Sequence, residues 1–320
     1  NVGDQRHNMT PQEIDGSQLL AHGVMEAGVQ FVTGYPGSPS TSIVDALLQV
    51  AGDQPRIEWA VNEKSAFDMA FGASLAGIRS LLCLKSVGLN VALDSLMVGN
   101  LAAGDGGFVI LVGDDPGGWG SQNEEDSRLL VAATEIPLLE PSSLTDAGTL
   151  MYHAFDLSEQ FSVPVAVRIT RALTAERIVG TLPPPTGHVP RKATFQREPD
   201  RFNVLPIHVV HMHQRLQSTM QEVQALFEPS LQNGIVGRGS QGVIAAGFAF
   251  HKLKVVLAQS SDPPLSILHL STLNPLPERR IVEFLQRLEA VLVLEETAPF
   301  VETQVQALAQ RAGLHLPVYG

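Results

Sequence analysis

Glu63 stands where an apolar run ends and a helical pattern begins, in EWAVNEKSAF (58–67). A carboxylate at such a junction can face a ligand held at the end of a strand. A first-turn glutamate that stabilises the helix macrodipole is the default reading, and the spacing alone does not overturn it. The loop GDDPGGWGSQ (113–122) follows the apolar run FVILV (108–112). Its adjacent carboxylates, Asp114 and Asp115, could bind a metal or orient a ligand. A turn closed by Asx hydrogen bonds accounts for them as readily.

Other patterns carry less. GRGSQG (237–242) fits G-x-G-x-x-G, but a strand pattern follows the glycines where a dinucleotide site needs a helix. It reads as a turn leading into a strand. GDG (104–106) has the opening residues of a magnesium–diphosphate motif, yet it leads into a strand, and Asn123 comes too soon to complete the motif. It also reads as a turn. His208 and His211 in HVVHMH share a helix face and His213 does not follow, so a packed or solvated helix start is expected there. No metal site is expected. The single cysteine, Cys83, excludes a disulfide within the chain and cannot hold an iron–sulfur cluster, which takes about four thiolates. Its apolar setting, SLLCLK, suits a buried core thiol.

The elements that must position these residues alternate. Helices are expected at 15–27 (Asp15 as N-cap, Gly28 just past the end), over IVDALLQV, and at 63–76, 90–102, 123–133 and 144–160. Short apolar strands are expected at 29–33, 56–61, 80–85, 108–112 and 163–169. That rhythm implies an α/β fold with a parallel, doubly wound sheet covered on both faces. Residues 176–240 are expected to be a Pro- and charge-rich linker followed by one long helix over 207–228. A second, smaller α/β unit is expected over 241–320. Its strands are GVIAAG, SILHL (266–270) and AVLVLEE (290–296), with helices at 278–288 and 299–312.

With 320 residues, 44% of them apolar and 17% charged, the chain can bury a sizeable core. The net charge of −12 argues against a nucleic-acid or anionic-membrane surface. Apolar runs such as VIAAGFAF (243–250) are too short to span a bilayer. The polar first residues, which begin with Asn, show no secretory leader, and a cytoplasmic location is expected.

Longer stretches then follow one another in a familiar order. They are TGYPGSPST (33–41), EWAVNEKSAF (58–67), GASLAGIRSL (72–81), LKSVGLNVALDSLM (84–97), VILVGDDPGGWGSQNEEDSR (109–128) and IPLLEPSS (136–143). Weaker matches run through PDRFNVLP, STLNPLPERRIVEFL and VLVLEETAPFVETQV. Together they resemble the N-terminal half of the indolepyruvate:ferredoxin oxidoreductase α subunit. That subunit belongs to the thiamine-diphosphate-dependent 2-oxoacid:ferredoxin oxidoreductases. The resemblance implies a pyrimidine-binding domain over 1–175 and a transketolase C-terminal-like domain over 241–320. The implied activity is oxidative decarboxylation of an aryl or indolyl 2-oxoacid to acyl-CoA, with electrons passing to ferredoxin.

The resemblance assigns roles residue by residue. Glu63 matches the glutamate that hydrogen-bonds N1′ of the cofactor's aminopyrimidine and favours the imino tautomer that deprotonates the thiazolium. Tyr35, Pro36, Gly37 and Ser38 match the substrate-side loop, where Ser38 donates a hydrogen bond to the oxoacid. Ser86, Val87, Gly88 and Asn90 match a loop near the cofactor, with Ser86 where a histidine is usual. Asp114, Asp115, Gln122 and Asn123 match a loop that shapes the oxoacid pocket. The sequence stops at HLPVYG, where the diphosphate domain of the family would begin. The magnesium–diphosphate half-site is therefore expected on a partner domain, and the iron–sulfur clusters on a ferredoxin-type partner, in a hetero-oligomer built on a dimer with coenzyme A as acyl acceptor. Two rivals remain at this stage: a non-catalytic scaffold or regulatory subunit, and a redox-independent 2-oxoacid decarboxylase component.

Overall fold

The computed structural model describes residues 11–102, 104–186, 188–259 and 264–320; the first ten residues, read above as free of a leader, lie outside them. Ser80–Lys85 and Phe108–Asp114 are apolar on both faces and so must be covered on both sides. Both lie inside a seven-stranded sheet. Its order is Thr272–Asn274, Leu138–Leu139, Val165–Thr170, Phe108–Asp114, Ser80–Lys85, Phe31–Gly34, Arg56–Trp59. All neighbours run parallel except the first pair, which is antiparallel. Parallel strands put their carboxyl ends on one edge, and that edge carries the loops of interest.

Helices cover both faces. Gly16–Glu26, Thr41–Val50 and Leu144–Phe161 bury Leu20, Ile43, Leu47, Leu150 and Phe155 on one side. Glu63–Leu75, Ser86–Gly99 and Ser127–Ala133 bury Phe67, Leu89, Leu96 and Val131 on the other. Asp15 caps the first helix through a reciprocal pair with Gln18, as its position predicts. Cys83 is buried, and burial pushes its thiol up to about 12.

The second unit is a five-stranded sheet in the order Val318–Tyr319, Ala290–Leu294, Gln241–Ala246, Ser266–Leu270, Ile235–Val236. GRGSQG is the turn entering Gln241–Ala246, with Gly237 at φ 79°. The two units share one core. Leu138 and Val131 of the first cluster with Leu268, Leu273, Ile281 and Val305 of the second.

The stretch expected to be a linker is tied down at both ends. Arg177–Gly180 pairs with Gln12–Asp15, and Ile235–Val236 joins the second sheet. Between them, residues 181–186 and 188–198 strap across the first unit. The Thr186 N–H donates to Glu26, Arg191 pairs with Glu159, and the Thr194 N–H donates to the Ala76 carbonyl. The long helix Pro206–Phe227 carries His208, His211 and His213 near its start, where His213 pairs with Glu135.

Candidate active site

The carboxyl ends of six parallel strands share one edge of the large sheet. After Phe31–Gly34 the chain turns through Tyr35–Ser38. The Gly37 N–H donates to Thr41 Oγ1 at 2.7 Å, and Ser40 Oγ donates back to the Gly37 carbonyl at 2.7 Å. That pair fixes the loop and leaves Tyr35, Pro36 and Ser38 exposed. Ser38 lines a cleft of about 400 Å³ with Asp115, Gly120, Arg171, Ser17 and Ser42.

After Arg56–Trp59 the chain reaches Asn62, whose side chain caps the helix Glu63–Leu75 by accepting the Ser65 N–H at 2.8 Å. The cap relieves Glu63 of that duty. Glu63 is half-buried, and its carboxylate makes no hydrogen bond or ion pair among the described residues. It lies against Gly88, where an added Cβ would fall 2.7 Å from Glu63 Cγ and 3.1 Å from Oε1. The structure thus brings Glu63 against the start of the helix Ser86–Gly99. Only a glycine leaves this carboxylate its place. An unpaired acceptor beside a cradle that a Cβ would fill suits a ring nitrogen able to donate a hydrogen bond, so these residues fit the aminopyrimidine of thiamine diphosphate.

Ser86 is buried at the first position of the helix Ser86–Gly99, Val87 is half-buried, and Asn90 is exposed. Asn90 donates to Glu125 at 3.1 Å, which links this helix to the 113–126 loop.

The two adjacent aspartates diverge. Asp114 ends the strand, is wholly buried, and accepts from Arg168 Nε at 2.5 Å and the Ser127 N–H at 3.1 Å. Its carboxylate therefore secures the scaffold and does not face the cleft loop. Asp115 closes the loop by accepting the Gly120 N–H at 2.7 Å and the Ser121 hydroxyl at 2.8 Å. This is the Asx-type turn weighed against a metal site. Burial alone would raise the Asp115 carboxyl, but these two bonds and the nearby Lys85 and Arg171 charges hold it below the usual range. Gln122 and Asn123 are exposed beyond the cleft, and Asn123 reaches only Glu125. Among the described residues, no group of three or more His, Cys, Asp or Glu side chains could hold a metal.

Two cationic residues belong to the site without having been singled out in the sequence. Lys85 ends its strand; its Cβ packs on Gly37, and its Nζ donates to the Gly120 carbonyl at 3.1 Å. It joins the Ser38 loop and the Asp115 loop at the start of the helix Ser86–Gly99. Arg171 follows the strand Val165–Thr170 and stands 5.2 Å over the ring of Trp119.

Behind the site the two units are riveted by buried ions. Arg168 also pairs with Glu140 at 2.9 Å. Arg128 pairs with Asp126 at 2.6 Å and with Glu295 at 2.7 Å, and it donates to the carbonyls of Glu296 and Ala298. Burial disfavours a charged Arg168, but Glu140 and Asp114 keep it protonated.

Comparison with known proteins agrees with this geometry. Residues 22–231 match the family described as pyruvate flavodoxin/ferredoxin oxidoreductase, thiamine diphosphate-binding. The chain is 35% identical over 312 residues to the indolepyruvate oxidoreductase subunit IorA of Pyrococcus abyssi, covering 95% of this chain and 48% of that protein. The chain spans about half the length of the curated relatives of this kind that it matches. Two solved structures share the fold. The 2-oxoglutarate:ferredoxin oxidoreductase from Magnetococcus marinus, solved with 2-oxoglutarate, coenzyme A and succinyl-CoA, superposes with a TM-score of 0.74 at 16% identity, over 100% of this chain and 64% of that one. A split-gene transketolase, solved as an inactive β4 tetramer, superposes with a TM-score of 0.57 at 14% identity, over 94% and 87%. The match over most of its length, and identity to IorA across nearly all of it, make the chain a member of the thiamine-diphosphate-binding family of pyruvate flavodoxin/ferredoxin oxidoreductases.

Proposed function

We propose that this chain supplies the pyrimidine-facing half of the cofactor cleft in a 2-oxoacid oxidoreductase that takes an aryl or indolyl oxoacid. The observation that carries the reading is the unpaired Glu63 carboxylate seated against Gly88. Thiamine diphosphate, when bound, supplies an electron sink for the pair released as a 2-oxoacid loses carbon dioxide. Glu63 is placed to accept a hydrogen bond from the aminopyrimidine ring and hold a proton at that nitrogen. Ser38, on a loop fixed by Thr41, is placed to donate to the oxoacid. Arg171, in the same cleft, offers its guanidinium to the substrate carboxylate. Lys85 ties the Ser38 loop to the Asp115 loop, whose carboxyl is held low by the Gly120 and Ser121 hydrogen bonds and by the nearby Lys85 and Arg171 charges. Gln122 and Asn123 sit farther out, and Asp114 serves from behind through Arg168.

The diphosphate-binding half, the iron–sulfur clusters and the coenzyme A contacts are assigned to the remainder of the complex. This chain covers 48% of the IorA of Pyrococcus abyssi, and the other half of a protein of that kind leaves room for such contacts.

Glu63→Gln tests the reading in the assembled complex. Turnover is expected to fall about 10²-fold or more, with assembly unchanged. Undiminished turnover would overturn the catalytic assignment in favour of a scaffold. Thiamine without iron in the native complex would favour a decarboxylase.

A further inference from the structure

The Ser38 cleft has a largely polar wall, built from Ser17, Ser38, Ser42, Thr174 and Asp115 among others. Such a wall suits the oxygens of a 2-oxoacid but offers little to an apolar side chain. A second cleft, of about 290 Å³, adjoins it where the two units come together. Arg171 and Ala175 line both clefts, so the two meet there. Pro116, Trp119 and Ala172 supply the apolar part of the second wall, which also carries the Lys252–Glu296 ion pair.

Among the described residues, Trp119 is the only aromatic side chain in that wall, and it is 76% exposed. Its loop is pinned on both sides of the ring. The Asp115 carbonyl accepts the Gly118 N–H at 2.9 Å, the Asp115 carboxylate accepts the Gly120 N–H at 2.7 Å, and Glu124 accepts the Gly117 N–H at 2.7 Å. The Arg171 guanidinium stands 5.2 Å from the centre of the Trp119 ring and makes no hydrogen bond or ion pair among the described residues. A cation free to take a carboxylate and a flat apolar surface are thus offered side by side. The Lys252 ammonium is already taken by Glu296, so this cleft holds no second free cation among the described residues.

We propose that Trp119 is a specificity-determining residue of the oxoacid site: the substrate's carboxylate rests on Arg171 and its oxygens in the Ser38 cleft, while its side chain enters the adjoining cleft and lies against the Trp119 ring. An aryl oxoacid carries both complements on one short chain. A small oxoacid such as pyruvate uses the first cleft alone and gains nothing from Trp119. A dicarboxylic oxoacid such as 2-oxoglutarate would bring a second carboxylate to an apolar wall whose remaining cation is already neutralised, at a desolvation cost that nothing there offsets. The inference rests on the proposed function, since it names the residue that selects among the oxoacids which that site would take.

Steady-state rates of the assembled complex with phenylpyruvate, pyruvate and 2-oxoglutarate test the proposal. Trp119→Ala is expected to cut kcat/KM for phenylpyruvate about tenfold, chiefly through KM, and to leave pyruvate within about twofold. Trp119→Phe, which keeps a ring, is expected to restore most of the loss. 2-Oxoglutarate is expected to be the poorest substrate of the three before and after the substitution. An equal loss for phenylpyruvate and pyruvate in Trp119→Ala would give the ring a structural or assembly role and overturn the proposal. So would an unchanged preference for phenylpyruvate, or no rescue by Trp119→Phe. Glu63→Gln is expected to depress phenylpyruvate and pyruvate alike. Failure of the catalytic assignment therefore shows as turnover that survives Glu63→Gln, whereas failure of this inference shows as a substrate preference that ignores Trp119. A complex that turns over no 2-oxoacid would overturn both.

Discussion

Gly88 is the residue whose replacement would isolate Glu63 from the rest of the fold. A Cβ at Gly88 meets a flexible carboxylate side chain, not backbone, so the fold can yield by swinging Glu63 aside. Gly88→Ala is therefore expected to keep the melting temperature within about 2 °C. It is expected to cut kcat by about 10²-fold, the scale set by displacing a reacting group by about 1 Å. Melting curves and steady-state rates on one preparation check both halves. At this scale the sequence was informative where a motif was long. EWAVNEKSAF and LKSVGLN pointed to two partners that the structure sets side by side. It was silent on Lys85 and Arg171, because their roles arise from loops that approach from other strands. Asp114 and Asp115 show a finer limit. Successive residues at a strand end face opposite ways, so one aspartate goes to the buried ion network and the other to the loop.

The elements expected from long apolar or periodic runs are present nearly to the residue. Ser80–Lys85 and Ser266–Leu270 coincide with their expected bounds, and Glu63–Leu75 differs by one residue. The misses have physical reasons. Ser86–Gly99 starts four residues before the expected 90, because Ser86 and Gly88 read locally as a turn although the strand end drives straight into a helix. Leu138–Leu139, Ile235–Val236 and Thr272–Asn274 are too short for alternation to register, and only sheet edges from elsewhere in the chain complete them. Ala249–Leu257 was not foreseen, since its apolar start continues the preceding strand's composition. The strap over 181–186 and 188–198 was legible as irregular but not as anchored. Its anchor is Glu159, which accepts from both Arg79 and Arg191. Burial alone would raise the Glu159 carboxyl, but the two guanidinium groups hold it at about 2. A carboxyl depressed in the folded state stabilises fully above its unfolded value of 4.5, and that stability is lost as pH falls towards about 2. Glu159→Gln is expected to lower stability at pH 7 and to flatten its decline between those two values, as read by urea titrations across the acid range. An unchanged acid limb would refute the anchor.

Taken as one molecule, the two units behave as halves of a single core. Thr272–Asn274 lends an edge strand to the large sheet, and the buried Arg128 crosses the seam to Glu295 and to the carbonyls of Glu296 and Ala298, beside the Arg168 pairs of the first unit. Such pairs contribute little as net attraction, but removing one partner strands the rest. Arg168→Met leaves Asp114 and Glu140 buried without their counter-ion and is expected to cost about 3–5 kcal/mol in denaturant unfolding. A loss confined to the second unit, with the first unchanged, would contradict the shared core. The lone thiol gives this cooperativity a clock. Cys83 sits on the strand Ser80–Lys85, between Phe31–Gly34 and Phe108–Asp114, with its proton held tightly. An alkylating reagent can reach it only when the centre of the large sheet comes apart. In native buffer the chain is therefore expected to stay unlabelled for as long as it stays folded. In dilute denaturant, the rate at which one adduct mass accumulates would then time the opening of the whole molecule, with no residue changed.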